Sequence, residues 1–308
     1  MMPSHLRVWA KEMLIAAGFS LAFSATCAAE QMTYPTPEAA AQALIDAMSG
    51  DDPEELAAVL GDGVDQLQSS DPVADEADRE AFVDAAVEKA GIEQDSEDRA
   101  TLVIGEDDWP FSIPLVRESG AWRFDLEAGL DEIYDRRIGR NELYAIAAMG
   151  EFVEAQDEYW QLDPQGNGNH YADRLRSSPG QRDGLFWPAK DGDPQSPMGE
   201  YLAEAAEEGY DDGTAQGRTP FHGYYYRMLT SQGEHAPSGA MDYMVDGRMA
   251  QGFGLLAWPA DYGNSGIMTF ITNQNGIIFE KDLGDGTATE AEAITVYDPD
   301  SSWEVVTD

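Results

Sequence analysis

Cysteine is almost missing: the 308-residue chain has one, Cys27. A lone thiol forms no intrachain disulfide and no multi-thiolate metal site. Lysine is scarce too, four of 18 basic residues, against 59 aspartates and glutamates and a formal net charge of −41. Charge of that sign repels phosphate at a distance, which excludes nucleic acid and an anionic membrane surface as partners. The same excess of carboxylate keeps a surface hydrated where salt screens its self-repulsion, so the acidity reads as adaptation to a saline habitat ahead of ion binding. Past the N-terminus no uninterrupted apolar run approaches the roughly 20 residues a membrane helix needs. Beyond His5 the histidines are His170, His222 and His235, none at a His-x-x-x-His metal spacing. With 43% hydrophobic residues and 10% aromatic, the chain still has the material for a packed core.

Residues 1–29 read as a secretory signal peptide. Arg7 and Lys11 supply a positive start, Met13 to Phe23 is short and apolar, and Cys27-Ala28-Ala29 offers small residues for cleavage before Glu30. Export of this kind predicts a periplasmic or secreted protein, free of cysteine and without a membrane span once the leader is cut.

Two halves follow, both α+β. Residues 30–127 open with helix signals. Thr36 and Asp52 precede proline and glutamate as caps, and Ala41, Leu44, Ile45 and Met48 recur at helical spacing. Val83, Ala86, Val87 and Ala90 mark a third helix. A strand over Ala100–Ile104 and a hairpin turning at Ser119-Gly120 come next. Helices followed by a curved sheet resemble the cone-shaped NTF2-like domains. Residues 128–308 begin with a helical stripe, Leu130, Ile133, Tyr134 and Ile138. A break at Gly139 is expected there, then a new start capped by Asn141 and an apolar face running to about Trp160. Strands are expected at Phe221–Leu229, Met241–Val245, Gly252–Trp258, Met268–Thr272 and Ile277–Lys281, with Asn275-Gly276 as a type I′ hairpin. One long helix on an antiparallel meander resembles the periplasmic part of a pilin or pseudopilin.

Five segments together carry a family resemblance: Trp109–Val116, Arg136–Leu143, Phe221–Arg227, Ala257-Trp258-Pro259-Ala260 and Ser265–Phe270. They resemble an exported bacterial family catalogued as domain-of-unknown-function family 2950. The resemblance spans nearly the whole chain after the leader. It implies no activity and transfers no catalytic residue.

Three sets of residues are candidate sites. Arg136 and Arg140, one helical turn apart, with Asn141 beside them, form either an anion clamp or a salt-bridge network at the junction of the halves. His222, Tyr224 and Tyr226 fall on one face of an expected strand, as a groove for glycan or peptide or as the seal of a sheet against a helix. Asp163, Gln165, Asn167 and Asn169 alternate through a glycine-rich helix exit, like the first half of a calcium loop. The twelfth position, however, is Arg174 where a bidentate glutamate belongs. Gly263-Asn264-Ser265-Gly266 lacks the last glycine of a nucleophile elbow, and Gly252–Ala257 opens no helix as a dinucleotide loop must.

The expected function is therefore a non-catalytic binding or assembly protein of the bacterial cell envelope, its partner an envelope protein or a glycan or peptide ligand. No cofactor is expected unless the Asp163 loop takes calcium. The alternatives are an envelope hydrolase with His222 as general base, and a calcium-stabilised scaffold.

Overall fold

The structure, a computed structural model, describes residues 31–50, 52–189, 194–199 and 220–307. The leader expectation falls on residues outside these. Helices and antiparallel strands come in separate runs along the chain, as expected of the α+β class.

Helix α1 (Pro37–Gly50) starts where the Thr36 hydroxyl accepts from Ala39 N, at 3.2 Å. Helix α2 (Pro53–Leu60) starts where the Asp52 carboxylate accepts from Glu54 N at 2.9 Å. Each cap satisfies a backbone donor that the first helical turn leaves free. Helix α3 (Pro72–Glu88) buries Phe82 and Ala86 but leaves Val87 exposed, so its inner face is rotated from the expected stripe. Strand β1 (Ala90–Ser96), which a helix over Ala90 did not anticipate, pairs with β2 (Arg99–Ile104); β3 (Trp109–Pro110), β4 (Leu115–Glu118) and β5 (Ala121–Phe124) complete the sheet. The order is β1-β2-β4-β5, all antiparallel, with β3 against β2. Leu102, Ile104, Leu115 and Phe124 meet Leu44, Leu60 and Phe82 of the helices in one core. Removing each such side chain from water contributes about 1.5–3 kcal/mol.

Helix α4 (Glu127–Leu162) runs unbroken for 36 residues, about 54 Å at 1.5 Å per residue. The break expected at Gly139 does not occur. One isolated glycine costs only about 1 kcal/mol, less than packing along both ends returns. Leu130 and Ile133 of α4 lie against the first core, whereas Ala145, Met149, Phe152, Ala155 and Tyr159 lie against the second. One helix thus belongs to both halves.

The second sheet has the order β14-β13-β12-β11-β6, an antiparallel meander. Its strands are β6 (Tyr224–Leu229), β11 (Gly254–Pro259), β12 (Met268–Asn273), β13 (Phe279–Asp282) and β14 (Glu304–Val305). The expected strand at 241–245 is divided between two small ribbons, β7 (Ser231–Gln232) with β8 (Met241–Asp242) and β9 (Met244–Val245) with β10 (Arg248–Met249). At Asn275-Gly276 only Gly276 has a positive φ, and Gly276 N bonds to Asn273 O at 2.9 Å. The link is thus a longer turn than the two-residue type I′ form. Along β11, Leu255 and Ala257 face α4. Leu256 and Trp258 face a third core with Ile271 and Tyr297, closed by helix α5 (Thr287–Ala293), which the sequence reading missed.

Candidate functional site

Two of the three sets of sequence candidates, the arginine cluster and the His222 turn, meet the seam where α4 crosses from one core to the other. Arg137 and Asn141 point inward, one turn apart, and both are buried. Arg137 donates to Leu67 O in the first half and to Asn264 Oδ1 in the second. Burial draws its guanidinium below the ordinary pKa, while Asp75 and Asp78 oppose that shift. Asn141 Nδ2 donates to Ser265 O at 3.0 Å. This amide was expected to cap a helix; in an unbroken α4 it ties helix to loop instead.

Arg136 and Arg140 do not converge on one anion. Arg140 Nη2 donates to Asp78 Oδ2 at 2.8 Å, the second arm of a bidentate pair with α3. Arg136 donates to Glu132 Oε1 at 2.7 Å and to Pro110 O at 2.9 Å, and its guanidinium lies 5.1 Å from the centroid of the Trp109 ring. Of the two readings of this cluster, the geometry is that of the salt-bridge network.

The second half meets the seam through a tight turn. His222 and Gly223 both have positive φ, +47° and +75°, and Phe221 and Tyr224 bond to each other across them. His222 is therefore not on a strand face beside Tyr224 and Tyr226, because the strand begins only at Tyr224. Gly223 N donates to Asp71 Oδ2 at 2.9 Å, and Asp71 Oδ1 accepts from Ala74 N at 3.2 Å. One buried carboxylate thus caps α3 and holds the turn. Sequence reasoning passed over Asp71, although Asp71-Pro72 is the same start signal as Asp52-Pro53. Ser265 Oγ donates to Gly223 O at 2.9 Å and accepts from Asp261 N at 2.9 Å. A Cβ on Gly223 would stand 2.5 Å from Asn141 Nδ2, so the approach requires glycine.

His222 stacks on Tyr144 of α4, ring centroids 4.2 Å apart and planes 19° apart, with Phe221 edge-on at 4.4 Å. Tyr144 is 44% exposed and Leu143 69%, so the Tyr144 side of this stack forms an aromatic ledge that solvent reaches. Tyr224 is buried, its hydroxyl donating to Met268 O at 2.9 Å. Burial, reinforced by Glu142, raises its pKa far above that of an ordinary phenol. Tyr224 packs in the core under α4, and Tyr226, partly buried, packs against it.

The Asp163 loop is closed on itself. Asp163, at φ +40°, ends α4, and its carboxylate accepts from Asn167 N at 3.2 Å and Gly168 N at 3.3 Å. Gln165 Nε2 reaches the Tyr159 hydroxyl at 3.1 Å, Asn167 Nδ2 reaches Gln165 Oε1 at 3.2 Å, and Asn169 Nδ2 reaches Trp160 O at 2.6 Å. Among the described residues, no three or more of His, Cys, Asp and Glu gather to hold a metal. No described helix is long and apolar enough to cross a membrane.

One family model matches the chain, that described as "Protein of unknown function (DUF2950)", over residues 31–306. Comparison with curated proteins and with solved structures returned no match.

Proposed function

The chain belongs to the DUF2950 family, and from that premise we propose that it is an exported, non-catalytic binding or assembly protein of the bacterial cell envelope. The observation that carries the reading is the ledge at the seam, where Tyr144 and His222 stack with Tyr144 open to solvent. Aromatic faces of this kind stack on sugar rings or apolar peptide groups, and their polar tips fix orientation. Two groups nearby that a reaction could use, Ser265 and Arg140, are engaged in structural contacts. Ser265 is held by backbone partners, and Arg140 is paired with Asp78. The leader-like residues 1–29 support export, and the net charge of −41 supports a partner that is neither nucleic acid nor an anionic membrane surface.

Co-sedimentation with purified cell-wall sacculi tests the ledge, with released fragments followed by mass spectrometry. Retention that falls in Tyr144→Ala and His222→Ala, with no new fragments, supports binding. Saturable release of fragments abolished by His222→Ala overturns it in favour of a hydrolase. Export has a separate readout. The reading expects protein recovered from osmotic-shock fluid to begin at Glu30, and recovery from the cytoplasm with Met1 intact refutes it.

A further inference from the structure

On the sheet face opposite α4 a cleft of about 250 Å³ opens between β12, β13 and the segment that follows α5. Ile271, Leu283 and Ile294 give it aliphatic lining, Trp303 gives an indole, and Lys281 and Glu290 give opposite charges. Lys281 is one of four lysines in a chain with 59 carboxylates, yet among the described residues it makes no ion pair. Its ammonium donates to Ser302 Oγ at 2.8 Å and lies 5.9 Å from the Trp303 ring centroid. The turn that presents Trp303 is fixed by Asp300, whose carboxylate accepts from Ser302 N at 2.8 Å and whose carbonyl accepts from Trp303 N at 3.1 Å.

Asp298 also lines the cleft, but both its oxygens are spent on His235: Oδ1 accepts from the backbone N at 2.7 Å and Oδ2 meets Nδ1 at 3.0 Å. Glu290, exposed in the same lining, makes no ion pair among the described residues. An ammonium held against an indole, with Asp300 acting on it only at a distance and no carboxylate among the described residues in ion-pair contact, keeps capacity for a charge-assisted hydrogen bond. A simple anion is repelled by a protein of this net charge, whereas a ligand that carries both charges is neutral at a distance. The volume is below the roughly 300–1,000 Å³ of drug-sized sites, which limits the ligand to a few residues.

We propose that this cleft binds a small zwitterion, an amino acid or dipeptide with a short apolar side chain, its carboxylate on Lys281 and its ammonium on Glu290. The site is separate from the Tyr144–His222 ledge and does not depend on it.

Isothermal titration with alanine, alanyl-alanine, its C-terminal amide and its N-acetyl form tests this on the unmodified protein. Binding on the order of 0.1–1 mM is expected for a ligand of this size. Amidation or acetylation should weaken it by about tenfold or more, the effect of losing one charged hydrogen bond. Lys281→Met should lose discrimination against the amide, and Glu290→Gln discrimination against the acetyl form. Tighter binding of alanine names a free amino acid as the source, and tighter binding of the dipeptide a peptide fragment. Absence of heat up to about 10 mM, or an amide that binds as well as the free acid, overturns the proposal. The amide arm decides even where Lys281→Met does not fold.

Discussion

The edge strand that opens the first sheet and the strand inside the second differ in how many faces they bury. In the first, β1 is half-buried at Gly91 and Ile92 and exposed at its other five positions, so helices cover one side of that sheet. In the second, all six residues of β11 are buried, with α4 on one side and the α5 segment on the other. A strand covered twice reads as a continuous apolar run, and one covered once alternates. The difference teaches where the chain is intolerant of change. The central strand β11 has no idle face, and the edge strand β1 has one.

Substitutions can sharpen or break this contrast. The largest effect is expected from Trp258→Ala, which removes a fully buried indole and the cation–π partner of Arg227, 5.3 Å away. It should lower stability by about 3–5 kcal/mol in urea unfolding. Thr101→Ala, on the partly open face of the first sheet, should stay within about 0.5 kcal/mol. Equal losses for the two would abolish the contrast. At the seam, Arg137→Met leaves Leu67 O and Asn264 Oδ1 without their donor, an expected loss of about 1–3 kcal/mol. Gly223→Ala should cost a similar amount through its positive φ and the contact with Asn141. Arg140→Ala breaks a pair whose side chains are 39% and 46% exposed and should change stability by at most about 1 kcal/mol.

The smallest effect is a pH dependence. Asp298 holds His235 by a hydrogen bond and by charge, and both raise the imidazole pKa above its ordinary value. A raised pKa stabilises the fold fully below the unfolded value of about 6.5 and loses that contribution as pH rises through the folded value. The melting difference between wild type and His235→Gln should therefore be widest near pH 5 and should close under alkaline conditions. A difference that widens toward alkaline pH would contradict the assignment.

Much of the fold was legible because local signals agreed with it. Thr36-Pro37 and Asp52-Pro53 mark helix starts that the structure uses, and Ser119-Gly120 turns the β4–β5 hairpin with both φ values positive. The misses have physical causes. Ala90–Ser96 is too polar to show a strand period, since most of it faces solvent. His222 looked like a strand residue because its neighbours are aromatic, yet the glycine after it was the signal for a turn. In the site, Asp71, Asn264 and Ser265 act through partners up to 196 residues away in the chain, as in the bond from Asn264 to Gln68 O. No spacing rule reaches that far. The zwitterion cleft was invisible for the same reason, as Lys281 and Trp303 meet only after the meander closes.

Because α4 threads both cores, its middle turns are expected to exchange their amide protons only when the whole molecule opens. Hydrogen exchange from about residue 137 to 149 should then report the global unfolding free energy, and limited proteolysis should release no half that folds alone. A separate unfolding step for either half would show that the 36-residue α4 does not couple them.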